Sequence, residues 1–157
     1  MPAAIRQDTR RATTRPRFDP RTLARRADRA LAALGRSEAE LSILLADDAT
    51  LRELNLRHRG VDDSTDVLSF PMDDTYLGDV AISLETAHRQ ATNPALVASR
   101  LKRLSLPPTL PWGLREELTF LMIHGLLHVV GHDHGEPEDE ATMIKEERRL
   151  VLAVVSP

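Results

Sequence analysis

The sequence predicts an α+β domain: a small mixed sheet of three or four strands packed with about five helices, one of them buried at the centre. Three observations predict it. Short runs of β type, "ELSILLAD", "TDVLSFPM" and "GDVAISL", are interspersed with stretches of helical periodicity. Between Leu118 and Val130 the only polar side chains are Thr119, His124 and His128, and a helix that is apolar nearly all round belongs in a core. The chain of 157 residues is long enough to bury about two-thirds of its unfolded surface in a single domain.

The elements follow in order. Met1 to Phe18 is rich in Arg and Thr and reads as a loose N-terminal arm over residues 1–18, with Ala3 to Gln7 its one strand candidate. The domain proper is expected over 19–157. Asp19-Pro20 is an N-cap followed by proline at the first helical position. Leu23, Ala27, Leu31 and Leu34 then recur at helical spacing, and Gly35 supplies the stop. In "ELSILLAD" an extended chain puts Leu41, Ile43 and Leu45 on one side. Thr50 and Glu53 form a capping box that opens a helix running towards Gly60. "TDVLSFPM" and "GDVAISL" are strands, and Ser83 is placed to cap the helix "LETAHRQA". Over 92–113 four prolines exclude a long regular element, so the stretch reads as a loop insertion. Leu96, Val97, Leu101 and Leu104 allow one short amphipathic helix within it. The buried helix spans Leu114 to Val130, and a final helix starts at Pro137 with acidic residues in its first turn.

Charge is uneven. Residues 1–60 hold thirteen Arg against eight acids, and residues 61–157 hold eight basic residues against sixteen acids. The absence of cysteine excludes a disulfide scaffold and a thiolate metal site, and fits a reducing, cytoplasmic compartment. No run reaches the ~18 apolar residues of a membrane span, so no membrane partner is expected.

The chemistry is concentrated in "HGLLHVVGHDH", residues 124–134. His124, His128 and His134, with Gly131, keep the register of the zinc signature H-E-x-x-H-x-x-G-x-x-H. Residues four apart share a helix face, so His124 and His128 are neighbours. Gly131 lets the chain turn back and deliver His134. Three imidazoles with an open fourth position make a catalytic zinc site on the central buried helix, with one Zn2+ per chain. His132 points away from this group, and Asp133 is suited to orient a ligand from behind. Gly125 stands where metallopeptidases carry their catalytic glutamate, so it removes that base; it is also expected to leave open space beside the metal. Phosphodiester chemistry would then need a cation for the developing charge. Arg59, at a helix end before Gly60, is the candidate; a plain reading makes it a complement to the helix dipole.

Taken together the two stretches resemble the YbeY family of bacterial endoribonucleases and ribosomal RNA maturation factors. The match runs through Leu54-Asn55, Arg59-Gly60, Thr65 to Pro71, Gly78 to Ser83 and His124 to His134, and the likeness covers about residues 20–155. The resemblance implies zinc on His124, His128 and His134, with Arg59 lining the same cleft as the catalytic arginine. It also implies action on single-stranded RNA in the maturation of small-subunit ribosomal RNA and in ribosome quality control. The partners would be ribosomal RNA, the small ribosomal subunit and ribosome-associated assembly proteins. Two other readings use the same ligands: an assembly factor with a largely non-catalytic zinc site, and a metallopeptidase, which Gly125 argues against. With five aromatic residues among Phe, Trp and Tyr, a base-stacking platform is not expected, and RNA contact should be to phosphate and shape. Whether the nucleophile is water activated by the metal or the RNA's own 2′-hydroxyl stays open at the level of sequence.

Overall fold

The computed structural model describes residues 3–131 and 137–155. Ten elements follow in the order β1 (Ala3–Asp8), α1 (Pro20–Ala33), β2 (Glu40–Ala46), α2 (Asp48–Arg59), β3 (Val67–Pro71), β4 (Tyr76–Ser83), α3 (Leu84–Thr92), α4 (Pro94–Arg103), α5 (Leu114–Val129) and α6 (Pro137–Val155). The strands form one mixed sheet in the order β1-β2-β4-β3. β1, β2 and β4 run parallel, and β3 is antiparallel on the edge beside β4. The α+β expectation holds, with four strands and six helices among the described residues.

Alternation along the strands divides the interior. Leu41, Ile43 and Leu45 of β2, with Val80 and Ile82 of β4, face the main core beneath α1 and α5. The intervening Ala46, Leu68 and Ala81 face the other way and meet Leu51 of α2 in a smaller cluster. α5 lies at the centre, against β3 and β4 on one side and α1, α3 and α6 on the others. From Glu117 to Val129 every residue except His124 and His128 is therefore buried.

Three expectations need correction. Residues 1–18 are not simply an arm, because Ala3–Asp8 pairs with Leu41–Ala46 as an edge strand. Its pattern is weak because an edge strand is held by main-chain bonds and can carry polar residues on both sides. The chain beyond it is also tied down: the Arg11 backbone N–H donates to Asp47 at 2.9 Å and that of Thr13 to Glu85 at 3.0 Å. The 92–113 stretch is not a plain loop, since α4 occupies its first half with Leu101 and Leu104 buried. Its Pro94 sits in the first turn, where proline costs nothing, and Asn93 caps it. Finally, α2 begins earlier than Thr50. Asp47 is the cap, accepting the Thr50 N–H at 2.8 Å, while the Thr50 hydroxyl and the Glu53 carboxylate both receive Arg11.

A carboxylate cluster joins the carboxyl ends of β2 and β4 to the starts of α2 and α3. Asp48 accepts from Ser83 Oγ at 2.5 Å and Thr86 Oγ1 at 2.6 Å, and pairs with Arg89 at 2.9 Å. Burial opposes its ionisation, but the hydrogen bonds from Ser83, Thr86 and Arg89 outweigh this and hold its pKa below the ordinary value. Asp47 and Glu85 are likewise lowered, burial again being overcome by hydrogen bonds, chiefly from Thr50 and from the Asp48 backbone respectively. A depressed folded-state pKa adds stability above the unfolded value, lost as pH falls through the folded one. The melting temperature should therefore fall steeply below about pH 4. Asp48→Asn should melt lower than the parent at neutral pH, and the gap should narrow through that acid range. Parallel melting profiles for the two proteins would show that Asp48 carries none of this linkage.

Candidate active site

Arg59 is the last residue of α2, and Gly60 follows in the left-handed conformation at φ 70°. That conformation lets the Gly60 and Val61 N–H groups close back on Leu56 and Asn55, ending the helix sharply. The buried Asn55 fixes the departing chain, its amide donating to the Asp63 carbonyl at 3.0 Å. The turn delivers Thr65 and Asp66 to the head of β3. Arg59 leans back over the strand, with one N–H directed to the Ser69 carbonyl at a long 3.4 Å.

His124 and His128 approach the same place from α5. Their Nε2 atoms are 3.1 Å apart. Two nitrogens bound to one tetrahedral zinc at about 2.0–2.1 Å would lie about 3.3 Å apart, so this pair fits a shared ion. Arg59, His124 and His128 line one cavity of about 440 Å³, together with Thr65, Asp66, Val67, Ser69 and Pro71. His134 and Asp133 lie outside the described residues, as does His132. Among the described residues, no group of three metal-binding side chains gathers.

Gly125 has a different role from the one expected. A β-carbon there would stand 2.5 Å from Val80 Cγ1 and 3.2 Å from Ser69 Oγ. The glycine allows α5 to lie directly on β4, and there is no open space beside it. Ser69 also donates to the Gly125 carbonyl at 3.0 Å, which pins the helix to β3. No larger residue, a glutamate included, fits at 125 unless Val80 or the helix gives way.

Behind the histidines is a carboxylate that sequence reasoning missed. Glu147 of α6 is fully buried, and its Oε2 lies 2.7 Å from His124 Nδ1. Its other oxygen accepts from Arg103 at 3.0 Å. Burial pushes the Glu147 carboxyl up, but the hydrogen bond from His124 and the positive charge of Arg103 outweigh it and leave its pKa lowered. A signal was present: Met143, Glu147, Leu150, Val151 and Val154 share one helical stripe, and a lone acid on an apolar stripe needs a partner. Nearby, Arg100 lies 3.8 Å above the ring of Phe120, which stacks on His124 at 6.0 Å. Arg100 is held there by Glu117, which also receives the Trp112 N–H at 3.0 Å.

The chain is similar to known proteins in sequence and in fold. A family model described as "Endoribonuclease YbeY" matches residues 9–154. The chain is 42% identical over 144 residues to the endoribonuclease YbeY of Anaeromyxobacter sp. (strain Fw109-5), covering 88% of this chain and 67% of that protein. With the endoribonuclease YbeY of Aquifex aeolicus it shares 38% over 135 residues, 83% of this chain and 79% of the other. Among solved structures, the solution structure of TM1509 from Thermotoga maritima superposes with a TM-score of 0.53 at 22% identity, covering 96% of this chain and 89% of that one. That last likeness is one of fold.

Proposed function

Because the chain belongs to the endoribonuclease YbeY family, we propose that it is a zinc-dependent endoribonuclease acting on single-stranded RNA. We place it in the maturation of small-subunit ribosomal RNA and in ribosome quality control, in the cytoplasm, with the small ribosomal subunit and its assembly proteins as partners. The observation that carries this reading is the cavity that Arg59 shares with His124 and His128. A phosphodiester presents a dispersed negative charge, and a planar guanidinium with five N–H donors matches it. Among the described residues Arg59 engages only the Ser69 carbonyl, so most of its donors remain to receive phosphate oxygens. His124 and His128 would hold the metal, with His134 as third ligand. When bound, zinc would polarise the scissile phosphate and lower the pKa of water towards neutrality. Val67 and Pro71 give the cavity an apolar wall, and Thr65 and Asp66 supply polar edges to orient the chain. A peptidase is disfavoured because the base it needs at position 125 would collide with Val80.

Purified protein should contain about one zinc per chain. It should cut single-stranded RNA and precursor small-subunit RNA in a chelator-sensitive way, and His128→Ala should remove both metal and cleavage. Casein incubated alongside should survive. Zinc present without any RNA cleavage would replace this reading by a non-catalytic assembly factor, and zinc-dependent peptide cleavage would change the substrate class.

A further inference from the structure

We infer that Glu147, locked by Arg103, is a positioning residue that fixes the tautomer of His124 and thereby decides whether His124 can take a metal. The consequence for metal rests on the zinc reading above, whereas the tautomer follows from local geometry alone.

An imidazole has two nitrogens and, when neutral, one proton. A carboxylate oxygen only accepts, so the 2.7 Å contact between Glu147 Oε2 and His124 Nδ1 requires the proton on Nδ1. The lone pair is then left on Nε2, the atom that faces His128 Nε2 at 3.1 Å inside the cavity. The opposite tautomer would set a lone pair against the carboxylate and a proton where the metal belongs. Glu147 is fully buried, so water cannot take over its role. Its orientation is not free either. The Arg103 Nε and Nη2 groups both reach Oε1 at 3.0 Å, which keeps Oε2 turned to the histidine. Three elements therefore set one proton: α4 supplies Arg103, α6 supplies Glu147 and α5 supplies His124.

Glutamine at 147 gives the sharpest test, because it keeps the size and changes the hydrogen-bonding rules. Arg103 only donates, so it captures the amide oxygen of Gln. The NH2 group must then face His124 Nδ1, which has to accept, and the proton moves to Nε2. Glu147→Gln should thus reverse the tautomer although the fold is kept. Removing the arginine as well, in the double variant Glu147→Gln with Arg103→Ala, frees the amide to turn its oxygen to Nδ1 and restore the original tautomer.

The experiment uses long-range nitrogen–proton NMR correlations of the histidine rings in the full chain at mildly alkaline pH, before and after zinc is added. Zinc affinity is measured in parallel by competition with a chromophoric chelator, and thermal melting confirms folding. The parent should show protonated Nδ1 on His124. Glu147→Gln should show protonated Nε2 and bind zinc about 10–100-fold more weakly, and the double variant should regain part of both. A parent protein with protonated Nε2 overturns the inference, however any variant folds. So does a folded Glu147→Gln that keeps the parental tautomer and affinity. A reversed tautomer in a protein that binds no zinc supports the inference and removes the zinc reading.

Discussion

Replacing Arg59 by alanine should leave folding and zinc content intact while lowering RNA cleavage about a hundred- to a thousandfold. The expectation follows from position. Arg59 is exposed, ends α2, and contributes one long hydrogen bond to the Ser69 carbonyl, so little of the fold depends on it. Its guanidinium nevertheless lines the cavity of His124 and His128, where, under the proposed function, a phosphate being cleaved would gather negative charge. A donor aimed at charge that develops in the transition state acts on the rate more than on substrate binding. Arg59→Lys keeps the charge and loses the planar fork, so it should recover only part of the rate. Single-turnover cleavage with zinc-saturated protein separates these effects. Full cleavage by Arg59→Ala would reduce the arginine to a cation at the negative end of a helix, worth about 0.3–1 kcal/mol of stability.

Gly125→Ala should destabilise the protein, the reverse of what helix propensity alone demands. Propensity favours alanine over glycine by about 1 kcal/mol in a helix interior. Here the added carbon would meet Val80 Cγ1 at 2.5 Å, on a β-branched side chain with little freedom to turn aside. α5 cannot retreat cheaply, since its Gly125 carbonyl is held by Ser69 and its far side packs on α6. Overpacking of this kind typically costs about 1–3 kcal/mol. For a domain of this size each kcal/mol is about 2–4 °C in melting temperature. Val80→Ala in the same chain removes the colliding methyl groups and should return much of the loss. An alanine variant that melts higher than the parent would mean the helix does not lie this close to β4.

The parts legible in the sequence were those in which side chains repeat a period or a motif. β2 and β4 carry a large aliphatic residue at every second position because one face of each lies on the main core; α1 shows its stripe and both of its end signals. The histidine spacing marked His124 and His128 before any geometry, and the arginine–glycine pair marked the helix end that brings Arg59 to them. What escaped was determined by the backbone or by distant partners. β1 is held through main-chain pairing with β2, which leaves Arg6, Gln7 and Asp8 unconstrained in polarity. α4 is hidden among prolines because one of them starts it. The role of Gly125 depends on Val80, forty-five residues earlier, and no local pattern reports that collision. Glu147 was visible only as an acid out of place on an apolar stripe, and its reason lies on two other helices.

The position of Glu147 on α6 also makes the carboxyl-terminal helix part of the histidine arrangement. A chain cut short before residue 147 would keep the histidines of α5 and lose the buried carboxylate that meets the first of them. Damage to the last helix would then reach the cavity without touching any residue that lines it.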